Sequence, residues 1–243
     1  MHELRYAVYC KEKAFLDAKK YPDRKEYDRF DEYSVHFTAV DRKNEIAGTA
    51  RLVIPNENQS FPFEAFCKPL PGSVLPPKGK AAEVSRLIIA PNFRVRPDDR
   101  EFGFSLVLSK LSKFVGGSSS SGRPADNTLE FTRVAPMAHE NTSPRILLGL
   151  FRKMYRYSKQ NGITHWYAAM ERTLDRMLLR YHFSFHRISD PVDYYGPVSL
   201  YMASIEELEL MLGKHNPELL TWFKKSRSPV PPTNLDTRDV VSV

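Results

Sequence analysis

The chain has 243 residues, 42% of them hydrophobic and 12% aromatic, which supplies one globular domain with a full core and excludes a disordered or fibrous polymer. Its net charge of +7 bears on partners and solubility rather than on fold. Because basic residues alternate with acids, without zinc-finger spacing, an RNP-type motif or a continuous basic helix, no stable nucleic-acid partner is expected.

No run approaches the roughly 18 to 20 apolar residues of a membrane span, and Met1-His2-Glu3-Leu4-Arg5 lacks the apolar stretch of a signal peptide, so the sequence reads as cytoplasmic. Leu4, Val8 and Phe15 give Leu4 to Phe15 a helix-like spacing, and its abrupt start leaves room for an upstream part of the same helix. Ser34 to Val40 and Ile46 to Ile54 read as strands joined by the turn-rich Asp41-Arg42-Lys43-Asn44. After a proline-rich loop from Pro69 to Pro77, Glu83 to Ala90 is a β-rich apolar run interrupted by Ser85 and Arg86, the pattern of a central strand aiming polar groups at a site.

The glycine- and serine-rich stretch Gly116 to Gly122 reads as a flexible surface loop, part of an insertion near 116–142 that interrupts one domain rather than dividing two. Ser143-Pro144 then opens a long helix with Ile146, Leu150, Met154 and Tyr157 along one face, ended by Asn161-Gly162. Thr164 to Met170 makes a strand, Leu174 to Tyr181 a helix, and Phe183 to Ile188 and Val198 to Ala203 two more strands. This alternation predicts a mixed α/β sheet flanked by helices. A single domain over 1–222 is expected, with a loosely ordered, proline-bearing tail over 223–243. Cys10 and Cys67 are expected to be small buried hydrophobes.

Five segments carry chemistry: Arg5-Tyr6-x-x-Tyr9, Glu26-x-Asp28-x-x-Asp31, Gly48-Thr49-Ala50-Arg51-Leu52, Glu83-Val84-Ser85-Arg86 and Trp166-x-x-x-Met170-Glu171. Each is weak alone, but their order and spacing form a pattern. Over about Arg5 to Tyr201 it resembles the acyl-homoserine-lactone synthases and their relatives in the GNAT superfamily, the N-acyl amino acid synthases and the acyltransferases associated with PEP-CTERM/exosortase systems. The likeness is greatest to the exosortase-associated group, through Arg5-Tyr6-x-Val8-Tyr9-Cys10, Ser34-x-His36-Phe37, Met170-Glu171 and Asp193-Tyr194-Tyr195-Gly196.

The resemblance implies a GNAT-like fold and an N-acyltransferase that takes a fatty acyl group from acyl carrier protein or acyl-CoA to an amino acid or other small amine, without a cofactor. It marks Arg5, Tyr9, Glu26, Asp28, Asp31, Arg51, Phe66, Glu83 and Arg86 as the characteristic polar and aromatic set. One departure is that lactone synthases place a tryptophan shortly after the first helix where Phe15 stands here, which points away from S-adenosylmethionine as acceptor.

Acyl transfer to an amine needs a base for the amine proton and donors for the charge on the carbonyl oxygen. Glu83 is the candidate base, with Ser85 and Arg86 beside it. Burial on an apolar strand raises its pKa and a nearby Arg51 or Arg86 lowers it; the alternative is a structural ion network with Glu26, Asp28 and Asp31. Ser85 lacks the Gly-x-Ser-x-Gly surroundings of a hydrolase nucleophile. The GNAT resemblance places oxyanion donors in backbone N–H groups around Leu87, Ile88 and Ile89.

For the acceptor, Glu26, Asp28 and Asp31 can attract an ammonium, while Arg5, Arg51 or Arg86 can pair with a carboxylate. The donor is expected at the start of the Ser143 helix. Only a distant echo of the pyrophosphate loop remains there, in Arg145 to Gly149 and Leu150, which favours acyl carrier protein over coenzyme A. Nine basic and three acidic residues between Ser105 and Gln160, Arg145, Arg152 and Lys153 among them, suit an acidic carrier. Phe61, Phe63, Phe66, Tyr155, Trp166 and Tyr167 are expected in the core, some of them also lining an acyl tunnel. His182 and His186 are four apart but lack the Glu of a zinc-protease helix and flank a strand-like Phe183-Ser184-Phe185, where such a pair need not converge, so no metal is expected. The rival readings are a lactone synthase using S-adenosylmethionine and a non-catalytic protein that binds acyl carriers or nucleic acid.

Overall fold

The computed structural model describes residues 1–94, 130–133, 143–194 and 196–225. A short helix α1 (His2–Tyr6) runs into a π-helical turn over Ala7–Glu12, so the expected single helix is split and ends earlier than Phe15. The strands are β1 (Ser34–Val40), β2 (Ile46–Val53), β3 (Ala81–Ile89), β4 (Glu130–Arg133), β5 (His165–Met170), β6 (His186–Arg187), β7 (Val192–Asp193) and β8 (Pro197–Ser204). The helices are α2 (Ser143–Gln160), α3 (Arg172–Arg180), α4 (Ile205–His215) and α5 (Pro217–Lys224).

Among the described residues these strands form one mixed sheet in the order β4-β1-β2-β3-β5-β8-β6, with β7 also pairing β8. β1 runs parallel to β4 and β3 parallel to β5, and the other pairs are antiparallel. The apolar stripe expected on the long helix lies where the sheet needs it. Ile146, Leu150 and Met154 are fully buried against β1, β2 and β3, and Tyr157 is partly buried beside them. The helix comes so close at Gly48 that a Cβ there would stand 2.8 Å from both Ile146 Cγ2 and the Ile88 carbonyl oxygen.

Two expectations need correction. Phe183 to Phe185 is not strand: only His186–Arg187 pairs with β8, because the chain leaves α3 through His182 in a left-handed conformation, φ +63°. The domain does not stop at Trp222. Helix α5 carries Trp222 and Phe223, 4% and 0% exposed, into the main core. Its neighbour α4, capped by the Ser204 hydroxyl accepting from Glu207 N, had no counterpart in the sequence reading. The Gly116–Gly122 loop and the tail beyond residue 225 lie outside the described residues. Cys10 and Cys67 are both free and buried.

Candidate active site

The site begins where two parallel strands part. β3 and β5 pair only from Ala81 opposite His165 to Glu83 opposite Tyr167. Beyond that point β3 stays with β2 and β5 stays with β8, so the sheet splits into a V that opens toward the C-terminal ends of both strands. Helix α2 carries the chain back toward the start of β5, which puts its N-terminus at the open end. Among the described residues the β3 edge facing β5 has no ladder partner from Val84 onward, and buried peptide groups of this kind require a ligand, water or another segment of chain.

Opposite β2, β3 holds one residue too many. Thr49 faces Ile88 and Arg51 faces Ser85, so Arg86 and Leu87 together oppose Ala50. Arg86 sits in the left-handed region, φ +50°, a conformation that costs a non-glycine residue roughly 1–3 kcal/mol and recurs at functional sites. The bulge breaks the alternation of side chains. Ser85 and Arg86 consequently both point to the face away from α2, whereas Leu87 joins Val84 in the core under the helix.

The V encloses a cleft of about 640 Å³, including its open mouth. It passes through the sheet and differs at its two ends. On the α2 side Phe151, Met170, Leu174, Leu178 and Phe185 make an apolar pocket. On the other side Glu83, Ser85 and Arg86 meet Pro62, Phe66 and Tyr194, the last two stacked with ring centroids 4.2 Å apart.

Glu83, 3% exposed, sits at the apex. One carboxylate oxygen, Oε2, accepts a hydrogen bond from Phe63 N at 3.0 Å. Burial dominates its titration and pushes its pKa up to about 8; the Phe63 N–H and the charges of Arg51 and Arg86 oppose that rise without cancelling it. Glu83 therefore stands apart from the neighbouring ion network, and its pKa lies near the useful range for a general base.

The network itself is a closed ring. Arg5 contacts Glu26 through Nε and Asp31 at 2.8 and 3.0 Å. Arg51 joins Asp31 at 2.6 Å to Asp28 at 2.7 Å. Arg86 closes the circuit, with Nη2 at 2.7 Å from Asp28 and 2.8 Å from Glu26. Three guanidiniums alternate with three carboxylates, so the ring is neutral. Its side chains are no more than 3% exposed. Burial favours the neutral acids, yet Arg5 with Arg86 hold Glu26 ionised at about 2, and Arg5 with Arg51 hold Asp31 well below its ordinary value. Arg5 and Arg86 are correspondingly harder to deprotonate than usual, although burial opposes it. His36, against Asp31 at 3.5 Å, is driven down to about 3 by burial and the nearby arginines and is neutral at physiological pH.

The structure thus gathers Arg5, Glu26, Asp28, Asp31 and Arg51, all five residues expected to bind the acceptor, but turns their charges on one another. Arg51 Nε also donates to Ser85 Oγ at 3.0 Å, tying the ring to the cleft wall. The residues expected to bind the donor are more scattered. Leu87 lines the cleft, whereas Ile88 packs against the N-terminal segment and Ile89 lies in the main core. On α2, Arg145 and Lys153 are half-buried and Gly149 is buried. Arg152 turns inward: 7% exposed, it lies 4.4 Å above the Trp222 ring and contacts the Lys225 carbonyl. Of the aromatics, Phe66 reaches the cleft, while Trp166 donates to Ser158 Oγ and Tyr155 to Glu209 in the packing. The sequence reading expected an apolar tunnel without assigning Leu174 and Leu178 to it, and quoted Tyr194 in a motif without giving it a place at the site. Leu174 and Leu178 did carry a signal there, a four-residue spacing on one face of α3.

Residues 4–99 match the family model described as an acetyltransferase (GNAT) domain. The fold is GNAT-like. Among solved structures the chain is similar to BjaI, a CoA-dependent acyl-homoserine lactone synthase solved with SAM and isopentyl-CoA, at 15% identity and TM-score 0.51 over 88% of this chain and 79% of that one. It is similar also to TofI in a ternary complex with an inhibitor and MTA, at 16% identity and TM-score 0.52 over 90% and 89%. A third is MesI, a CoA-dependent acyl-homoserine lactone synthase, at 15% identity and TM-score 0.52 over 94% and 88%. No curated protein sequence matches significantly. The bulge and the apex carboxylate fall within the residues that the family model spans, whereas β5, the other arm of the V, lies outside them. Among the described residues no helix is long and apolar enough to cross a membrane, and no group of three or more His, Cys, Asp or Glu is placed to hold a metal.

Proposed function

We propose that this chain is an N-acyltransferase that moves a fatty acyl group from a carrier thioester to the amine of an amino acid. The observation that carries the reading is Glu83, a carboxyl with its pKa pushed up to about 8 at the apex of a cleft whose β3 edge lacks ladder partners among the described residues. The thioester arm lies along that edge as a substitute strand, with its acyl chain in the apolar end among Phe151, Leu174 and Leu178. The amine enters from the Phe66–Tyr194 side. Glu83 accepts its proton, the nitrogen attacks the thioester carbon, the oxygen's charge is met by backbone N–H groups at the bulge, and collapse expels the thiolate, which takes up a proton. The ring of Arg5, Glu26, Asp28, Asp31, Arg51 and Arg86 acts as scaffold: it holds Arg86 in its left-handed conformation and aims Ser85 at the cleft.

Acyl carrier protein is the proposed donor partner, through Arg145 and Lys153 near the N-terminal half of α2, because the pyrophosphate loop of coenzyme A users is replaced by Arg145 to Leu150. An amino acid is the proposed acceptor, supported by the motifs shared with the exosortase-associated group and by Phe15 in place of tryptophan. A second reading, acyl-homoserine-lactone formation from S-adenosylmethionine, is supported by the fold likeness to BjaI, solved with SAM, and to MesI. Mass spectrometry of lipid extracts from cells expressing the protein or its Glu83→Gln variant tests both. N-acyl amino acids present only with the unaltered protein support the first reading, lactones would replace it with the second, and the absence of any new acylated amine would remove both.

A further inference from the structure

Next to the apolar end of the cleft lies an open groove between α3 and β8, lined by Arg172, Asp175, Arg187, Ser199 and Tyr201. Its walls are polar where those of the cleft are apolar. Ser199 and Tyr201 are 6% and 5% exposed, and neither hydroxyl is hydrogen-bonded to another described residue. Asp175, Arg172 and Arg187 surround Tyr201 closely enough to act on it electrostatically, the acid opposing the two bases. Neither hydroxyl is among the buried polar atoms that lack a partner, so both are open to the groove, where water or a polar ligand group can bond to them.

Groove and cleft meet at one side chain, Phe185, which lines both. Phe185 is 7% exposed and packs with the main core, but its backbone belongs to neither a helix nor a strand. The ladder starts only at His186, and on the other side the chain has just left α3 through the left-handed His182. The ring is therefore a partition carried on a connecting segment, with Leu174 and Leu178 of α3 facing the cleft and Asp175 facing the groove.

We propose that this groove is a second chamber of the acyl site, which receives the distal end of acyl chains that carry a hydroxyl or carboxyl group there, and that Phe185 is the door between the chambers. The proposal rests on the reading of the cleft as the acyl site and deepens it. An unsubstituted chain end gains nothing by passing Phe185, since it would leave an apolar pocket for polar walls. A polar end can bond to the hydroxyls of Ser199 and Tyr201.

The test is displacement of a fluorescent fatty-acid probe from the full chain by pairs of acids of equal length, one unsubstituted and one hydroxylated at its far end. A net hydrogen bond is worth about two- to tenfold in affinity. Among chains long enough to pass Phe185, the hydroxylated member should therefore displace the probe several-fold more strongly. Tyr201→Phe and Ser199→Ala, which remove only an oxygen, should each bring the ratio toward one, and the bulkier Phe185→Trp should remove the preference by closing the door. Thermal unfolding of each variant checks that the fold survives. A ratio unmoved by these substitutions, with both acids still binding, would overturn the chamber and leave the cleft reading intact. Failure of every fatty acid to displace the probe from the unaltered protein would overturn both.

Discussion

Replacing Glu83 with glutamine should separate the stability of this protein from pH over a defined window. The folded carboxyl titrates at about 8, against an ordinary value of 4.5, because it is buried at the apex of the cleft. Below pH 4.5 it is neutral in both the folded and the unfolded chain and costs nothing. As pH rises, the unfolded chain loses the proton while the folded one keeps it, so stability falls by about 1.4 kcal/mol per pH unit. The loss is complete above pH 8 and amounts to roughly 5 kcal/mol, comparable with the whole stability of many domains. Glutamine has no proton to lose at that position. Urea unfolding of both proteins at intervals from pH 4.5 to 9 should show the difference between them growing in favour of Glu83→Gln until about pH 8 and then levelling. The same titration should appear in catalysis: turnover of the unaltered enzyme rises toward pH 8, whereas the variant loses ~10²-fold or more and the rise with it. Parallel stability curves at every pH would mean that Glu83 keeps an ordinary carboxylate pKa in the folded protein and would refute the raised pKa on which its choice as base rests.

Three further predictions follow from the packing and the charges. Glu26→Gln leaves Arg5 and Arg86 without their shared carboxylate in a buried ring and should cost about 3–5 kcal/mol, read as a lower denaturant midpoint with an unchanged slope. Gly48→Ala puts a methyl group 2.8 Å from a backbone oxygen that cannot swing away and should cost about 1–3 kcal/mol, read in the same experiment. Charge reversal at Arg145 and Lys153 should weaken transfer from acyl carrier protein, with a marked dependence on salt, and leave transfer from a short pantetheine thioester nearly unchanged. Equal losses with the two donors would remove the docking role.

Long periodic elements were legible in the sequence because one face decides them. Ile146, Leu150 and Met154 are buried as their spacing requires, and β1 and β2 keep the limits set by the turn residues between them. The polar set was legible by type, since charged residues on apolar strands have to find partners. What could not be read was who pairs with whom. The bulge at Arg86 inserts one residue into the β3 register and turns two consecutive side chains to one face, and no local signal announces a left-handed arginine. For the same reason the carboxylates near Arg51 and Arg86 could not be divided in advance into ring members and a lone Glu83. Helix α5 was missed because its burial is settled by contacts with α2 far away in sequence, as with Phe223 against Tyr155, whereas α4 carried a local signal in the Ser204 cap and the spacing of Ile205, Leu208 and Leu212.

The closed circuit of six charges has a consequence for how substitutions combine. Each member touches two others, so the first neutralisation strands a neighbour, while a second, chosen next to it with opposite sign, removes the stranded charge. Asp28→Asn together with Arg51→Met should therefore cost less than the two single changes added together. Sequence drift at these positions is then constrained to move in adjacent, charge-matched steps. The ring behind the cleft wall should therefore tolerate change only in matched pairs, while at the apolar end, where each side chain answers to its own volume, single changes of similar size should be tolerated.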